Sequence, residues 1–192
     1  MTCLKLKYPS LIFLLLLLGC TNKDHSNTYK VNLTKEKISE TPDDLVEQLV
    51  LDYILANVDQ NADELDWVGT LNPAHRALYV TWLVEAEVNN GGFNQFYFNS
   101  SGQVAQYGEE SFRTFGANRY ADLMHRANLT YDSIKADLEQ YNDGTVESFS
   151  KSYENNPLNK LDDEFYKLGN DESLTHLRAK YIKSHIGEFA IQ

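Results

Sequence analysis

The sequence predicts an all-α fold, in which one compact multi-helix domain follows a signal peptide and a flexible tether. Apolar residues recur at spacings of three and four along most of the chain, which is the period of a helix face. Proline, glycine and asparagine stand at the ends of these periodic segments, where helices begin and end. No segment alternates apolar and polar residues in the manner of a half-buried strand. Helices are therefore the only regular elements predicted.

The first helix of the domain is predicted to begin at 41–44, with the sequence Thr-Pro-Asp-Asp. A hydroxyl can cap a helix, proline fits the first helical position, and acidic side chains favour the positive end of the helix dipole. Leu49 and Ile54 then belong to an apolar face that ends near Asn57. A short turn or helix is predicted at 63–68.

Asn72 and Pro73 repeat this start signal for a second long helix. The run Asn-Asn-Gly-Gly at 89–92 is expected to end it, since glycine and asparagine adopt the left-handed conformation at little cost. A short helix is predicted at 93–98, closed by 100–102. The remaining helices are predicted at 103–115, 117–127, 132–141, 145–155, 157–168 and 172–186.

The N-terminus has the pattern of a bacterial lipoprotein signal peptide. Two lysines precede an apolar segment, 11–18, that is too short to span a bilayer. The sequence Leu-Leu-Gly-Cys at 17–20 resembles a lipobox, in which cleavage precedes the cysteine and the cysteine carries the lipid. An ordinary secretory signal is the alternative. We therefore expect a signal peptide at 1–19 and lipidation of Cys20, which would hold the domain outside the cytoplasm at a membrane of the bacterial cell envelope.

Residues 20–40 are predicted to form a flexible tether, because their scattered apolar side chains cannot bury enough surface to offset the entropy of ordering. Residues 41–192 then form one domain. Cys3 would leave with the signal peptide and Cys20 would be acylated, so no thiol would remain for a disulfide, a nucleophile or a zinc site. No cofactor and no metal site is predicted.

The predicted domain is most acidic in its first third. The full chain has a net charge of -11, and residues 41–88 contain ten acidic residues with Arg76 as their only Lys or Arg. A phosphate backbone requires a basic surface, so direct binding of nucleic acid is not expected. The acidic residues predicted to face a basic protein partner are Asp43, Asp44, Glu47, Asp52, Asp59, Asp63, Glu64 and Asp66. The alternative is an ordinary solvated face that promotes solubility.

The most characteristic segment of the chain is 88–102, which we call the fingerprint segment: Val-Asn-Asn-Gly-Gly-Phe-Asn-Gln-Phe-Tyr-Phe-Asn-Ser-Ser-Gly. Together with Phe-Gly-Ala at 115–117 and Leu-Asp-Asp-Glu-Phe-Tyr at 161–166, it resembles a bacterial helical family named after a DNA-mimic protein. The resemblance extends from about Asn72 to the C-terminus. It implies an all-α fold without a known catalytic centre. The member that gives the family its name imitates the charge of duplex DNA and so occupies DNA-binding proteins.

The fingerprint segment also offers a second candidate site. Amides beside aromatic rings suit the recognition of a glycan or a peptide, and the residues that would line such a cleft are Asn90, Phe93, Asn94, Tyr97 and Asn99. The alternative is that these residues cap helix ends and pack in the core. Glu85 is predicted to accept hydrogen bonds from the backbone amides of the glycine turn. Residues 162–164 lack the pattern of a calcium loop and are interpreted as a solvated helix face.

The sequence contains neither a nucleophile elbow nor a metal-binding histidine spacing, so catalysis is not expected. It predicts a lipid-anchored, non-enzymatic binding protein that presents an acidic helical surface to a basic protein, in a DNA-mimic or immunity-like role. A small-ligand binding module and an envelope structural protein are the alternatives. The identity of the partner and the oligomeric state are left open.

Overall fold

The computed structural model describes residues 32–191, and within that range it contains ten α-helices and no β-strand. The helices are α1 (Lys35–Glu40), α2 (Asp43–Ala56), α3 (Glu64–Thr70), α4 (Pro73–Phe98), α5 (Ala105–Thr114), α6 (Asn118–Leu138), α7 (Val146–Lys151), α8 (Asn159–Asp171), α9 (Leu174–Ser184) and α10 (Ile186–Phe189). Short 3₁₀ helices lie at Ser100–Val104 and Glu139–Tyr141. The predicted all-α fold is confirmed.

The longest helix, α4, forms the centre of the domain. It packs against α2, α5 and α8, while α9 packs against α2. Leu78, Val84 and Val88 lie on its inner face and are fully buried. Burial of such a side chain contributes roughly 1.5–3 kcal/mol, so this face anchors the surrounding helices. Between residues 32 and 191, no helix is both long and apolar enough to cross a membrane.

The predicted break at the paired glycines is confirmed within α4. Gly91 has φ -158° and ψ 26°, and Gly92 has φ 73° and ψ -179°, so neither is helical. The backbone region that Gly92 occupies is accessible almost only to glycine. The break turns the chain so that the short second part of α4, from Phe93 onward, runs in a new direction.

The predicted tether is wrong from Leu33 onward. Leu33 and Ile38 are fully buried, and residues 35–40 form α1. The Ile191 backbone N–H donates to the Leu33 carbonyl at 2.8 Å. Lys183 Nζ donates to the carbonyl oxygens of Ile38 (3.1 Å) and Ser39 (2.9 Å) at the end of α1. These few apolar side chains order the segment because the C-terminal helices cover them, and the domain therefore begins before residue 41. The predicted signal peptide and Cys20 lie outside the described residues.

Of the helix caps predicted at Thr41, Asn72 and Thr145, the last two are confirmed. Asn72 caps α4, since its side chain accepts from the His75 N–H at 2.8 Å. Thr145 caps α7 by accepting from the Ser148 N–H at 3.2 Å. The predicted cap at Thr41 is wrong, because its hydroxyl donates back to the Lys37 carbonyl at 2.6 Å.

The helices predicted at 117–127 and 132–141 are mostly one continuous helix, α6. No glycine or proline occurs in the intervening residues 128–131 to end it. The chain leaves the α-helical conformation only at Leu138, where a 3₁₀ turn follows.

Candidate functional site

An acidic face extends along α2, the loop after it, and α3. We define this acidic face by its six exposed carboxylates: Asp43, Asp44, Asp52, Asp59, Asp63 and Asp66. Residues 41–75 contain no lysine or arginine. On α2, Asp44 and Asp52 lie two helical turns apart, on the side opposite the buried Val50. The helix period therefore places carboxylates in solvent while the apolar face packs inward.

Most of the charge on the acidic face is not neutralised within the domain. Between residues 32 and 191, only Asp43 among the six has an ion pair, with Lys183 Nζ at 3.7 Å, and its side chain is 86% exposed. Such an exposed pair holds little energy. Asp63 caps α3 by accepting from the Leu65 N–H at 3.1 Å, and Asp52 accepts from the Gln48 side chain at 2.6 Å. Neither contact involves a cation, so the carboxylates remain available to an external one.

Two of the eight acidic residues predicted to face a partner are buried, so they do not belong to the exposed acidic face. Glu47 is 7% exposed and pairs with Arg178 at 2.8 Å. Glu64 is 8% exposed and accepts from the Tyr79 hydroxyl at 2.7 Å. Both follow the helix period, since Glu47 lies three residues before Val50 and Glu64 three before Trp67 on the inward faces. That periodicity was visible in the sequence and could have identified both as inward-facing.

A buried ion cluster joins the acidic face to the core. The Arg178 side chain is 1% exposed, and its Nη2 atom lies 2.8 Å from Glu47 Oε1 and 2.5 Å from Glu85 Oε2. These three residues come from α9, α2 and α4, so the cluster holds α2 in place. The predicted role of Glu85 at the glycine turn is wrong, because its carboxylate binds this arginine instead.

A small pocket opens within the acidic face, between the loop after α2 and α3. Its lining residues are Val58, Asp59, Gln60, Ala62, Glu64, Trp67 and Tyr79, and its volume is about 20 Å³. The rings of Trp67 and Tyr79 meet edge to face, with centroids 5.0 Å apart. Of the two acidic residues that line the pocket, Glu64 is buried and Asp59 is exposed. The pocket thus combines aromatic walls with a carboxylate that is nearly removed from water.

The fingerprint segment forms a hydrogen-bonded corner around the glycine break. The Asp162 carboxylate accepts from the Phe93 N–H at 2.7 Å. The hydroxyl groups of Tyr166 and Tyr153 donate to the carbonyl oxygens of Val88 and Gly91, each at 2.8 Å. The groups left free by the broken helix are therefore satisfied by side chains from α8 and the loop after α7.

The interpretation of residues 162–164 as a solvated face is wrong for Asp162, which is 8% exposed. It follows the buried Leu158 by four residues and precedes the buried Phe165 by three, so it lies on the inward face of α8. Burial raises the pKa of Asp162 to about 6, although the hydrogen bond from Phe93 opposes the rise; the nearby Asp163 adds to it.

The predicted amide–aromatic cleft does not form around all five of its residues. Phe93 and Asn94 are each 1% exposed, and Asn94 bonds to Ser152 at 2.7 Å. Asn99 donates to the Glu87 carboxylate at 2.9 Å, and Asn90 is exposed. Asn94 and Tyr97 line a shallow pocket of about 70 Å³ with residues of α6, a pocket that the other three do not reach. Within residues 32–191, no three His, Cys, Asp or Glu side chains are grouped so that they could hold a metal ion.

Comparison with known proteins identifies one family. The sequence pattern described as DMP19-like protein matches residues 69–185. No curated protein and no solved structure matches the chain. The matched residues include the fingerprint segment and the helices from α4 to α9. All six carboxylates of the acidic face precede residue 69, so the face lies outside the matched region.

Proposed function

The chain belongs to the DMP19-like protein family, and from this premise we propose that it is a non-enzymatic binding protein whose acidic face engages a basic protein. The family indicates a DNA-mimic or other protein-binding role for a helical domain. The observation that carries the proposal for this chain is the set of six exposed carboxylates with no lysine or arginine from residue 41 to residue 75. Such a surface attracts a basic partner and accelerates encounter.

The spacing of these charges favours a partner with an ordinary basic surface over a partner whose groove is shaped to bind DNA. Asp44 and Asp52 are eight residues apart on α2, which is roughly 12 Å along the helix axis. Duplex DNA carries one negative charge per roughly 1.7 Å of its axis. The acidic face is sparser than DNA, so its partner need not be a DNA-binding protein.

The place of action that we propose is the bacterial cell envelope, with the domain anchored through a lipid on Cys20. The support is the lipobox-like sequence at 17–20. An immunity-like role, in which the acidic face neutralises an incoming basic toxin, combines this location with the charge. Replacement Cys20→Ser should move the protein from the membrane fraction to the soluble fraction. Retention at the membrane would rule out this anchor.

The binding role is tested by crosslinking the protein in its own cells and comparing two variants of equal charge. The face variant carries Asp44→Asn, Asp52→Asn and Asp66→Asn. The control carries Glu110→Gln, Asp137→Asn and Glu154→Gln, three exposed carboxylates elsewhere on the domain that have no ion pair within residues 32–191.

We expect the face variant to lose a basic protein that the control variant retains. In a pull-down of the crosslinked partner with the purified protein, capture should also weaken as salt rises from about 50 to 500 mM, because exposed charges are screened. Equal capture by both variants, or capture indifferent to salt, would contradict the proposal.

A further inference from the structure

We propose that the pocket lined by Glu64, Trp67 and Tyr79 binds the ammonium group of a lysine side chain from a basic protein. This inference rests on the proposed function and names the side chain that the acidic face recognises. Six of the seven residues that line the pocket precede residue 69, and the seventh, Tyr79, lies within the region matched to the family. The argument depends on the charge, the size and the walls of the pocket.

Two acidic side chains, Asp59 and Glu64, line the pocket, and neither has an ion pair within residues 32–191. No lysine or arginine there lies within ion-pair distance of Glu64, whose Oε1 accepts from the Tyr79 hydroxyl. Burial raises the pKa of Glu64, and the neighbouring Glu87 and Asp63 raise it further, against hydrogen bonds from Tyr79 and Ser100. Ionising this carboxylate is therefore costly in the free protein. A cation placed beside it would offset that cost.

The size of the pocket selects among cations. A volume of about 20 Å³ holds roughly one water-sized group. An ammonium group is close to water in size, whereas the planar guanidinium of arginine is larger and carries five donors in a fixed fork. The pocket therefore favours lysine over arginine.

The walls of the pocket suit a cation. Trp67 is 6% exposed and Tyr79 is 1% exposed, and both line the pocket together with the apolar Val58 and Ala62. Aromatic faces attract cations. The pocket holds the ammonium group alone, and the methylene stem of the lysine stays outside it. The exposed Asp59 and Gln60 lie at the rim, where they meet an approaching basic surface first. A buried aromatic pocket within a charged surface is a common position for an anchor residue.

The direct test uses butylammonium, a four-carbon analogue of the lysine side chain, titrated into the purified protein. Binding is followed through the indole N–H of Trp67 in ¹H–¹⁵N spectra, with butylguanidinium and neutral 1-butanol as comparison probes. We expect butylammonium to shift this signal saturably, butylguanidinium to bind more weakly, and 1-butanol to leave it unchanged. A response to 1-butanol equal to that of butylammonium would show a merely apolar cavity and overturn the proposal.

Two variants and one control assign the effect to the pocket. Glu64→Gln preserves the shape but removes the charge, and it should weaken butylammonium binding at least about tenfold. Ala62→Leu fills the pocket without changing its charge and should abolish binding. Asp137→Asn removes the same formal charge from an exposed position on α6, outside the acidic face, and should change affinity less than about twofold. Circular dichroism verifies that each variant is folded. Loss of affinity in Asp137→Asn equal to that in Glu64→Gln would reduce the effect to general attraction and refute a built site.

The failure of this inference can be distinguished from the failure of the proposed function. If the face variant loses its basic partner while Glu64→Gln retains it and butylammonium does not bind, the acidic face acts without a lysine pocket. If butylammonium binds through Glu64 but partner capture ignores the face variant, the pocket exists and the proposed function is wrong.

Discussion

The carboxylate of Asp162 accepts a hydrogen bond of 2.7 Å from the backbone N–H of Phe93, and this contact fixes α8 against the break in α4. Phe93 is the first residue after Gly92, so its N–H has no helical partner in the preceding turn. The ring of Phe93 also meets Phe165 of α8 edge to face, with centroids 5.9 Å apart. One polar and one aromatic contact thus join two helices that are distant in sequence.

The buried Asp162 should make stability depend on pH. Burial raises the pKa of Asp162 to about 6, from an ordinary value of 3.8. Between these two values the folded state binds the proton more tightly than the unfolded state, so the free energy of unfolding falls as pH rises. In Asp162→Asn the amide oxygen can still accept from Phe93 but cannot ionise. We expect the wild type to lose stability relative to Asp162→Asn as pH rises from about 4 to about 6.

Chemical denaturation at a series of pH values measures this difference. Asp137→Asn, which alters an exposed carboxylate on α6, is the control and should follow the wild-type profile. If the difference between the wild type and Asp162→Asn is flat across the window, Asp162 does not titrate in the folded state as inferred.

Gly92 should not tolerate a side chain. Its φ of 73° favours glycine, and a Cβ at this position would overlap the Asp162 carboxylate. A non-glycine residue in such a conformation costs about 1–3 kcal/mol before any clash, so Gly92→Ala should lower the free energy of unfolding by at least that amount. Gly187→Ala is the matched control, because no atom lies within 4 Å of its added Cβ. Equal thermal midpoints for the two variants would argue against the geometry of the break.

The corrected start of the domain predicts that Ile38 contributes to stability. Its side chain is fully buried, and truncation of a buried isoleucine costs about 2–5 kcal/mol. Ile38→Ala should therefore lower the unfolding free energy by that amount, whereas Lys35→Ala, on the exposed side of α1, should change it little. A flexible tether would make both variants silent in urea denaturation.

The features of the fold that depend on interactions within a few residues could be predicted from the sequence. The cap at Asn72 and the glycine break after residue 90 depend on the conformation of the residues themselves, and both are confirmed. The tether boundary could not be predicted in this way. Leu33 and Ile38 are ordered by helices at the other end of the chain, and a local reading of composition cannot detect a partner more than 140 residues away.

The candidate site was predicted in part, and the errors share one physical cause. Composition located the acidic stretch, but it treated every carboxylate in the stretch as exposed. Glu47, Glu64 and Asp162 lie on the apolar sides of their helices, where a charged group persists only with a specific partner. Arg178, Tyr79 and the Phe93 N–H are those partners. Helical periodicity identifies such residues in a sequence, while the identity of the partner depends on the tertiary fold.

The buried cluster around Arg178 should be essential for the position of α2. Its guanidinium is 1% exposed and lies between Glu47 and Glu85. Removing one member of a buried pair costs about 3–5 kcal/mol, because the remaining charge is left without a counterion. Arg178→Met should therefore reduce the unfolding free energy by that amount. Arg126→Met, which breaks a half-exposed pair with Glu164, should cost at most about 1 kcal/mol.

A double variant separates the loss of the counterion from the loss of packing. Adding Glu47→Leu to Arg178→Met removes one stranded carboxylate and should recover part of the stability, since apolar replacements of buried ion pairs are often well tolerated. Chemical denaturation of the wild type, Arg178→Met, Arg126→Met and the double variant measures the unfolding free energy of each. If Arg178→Met unfolds at the same denaturant concentration as Arg126→Met, the cluster does not hold α2. In that case the acidic face must be positioned by the apolar contacts of Val46, Val50 and Ile54 alone.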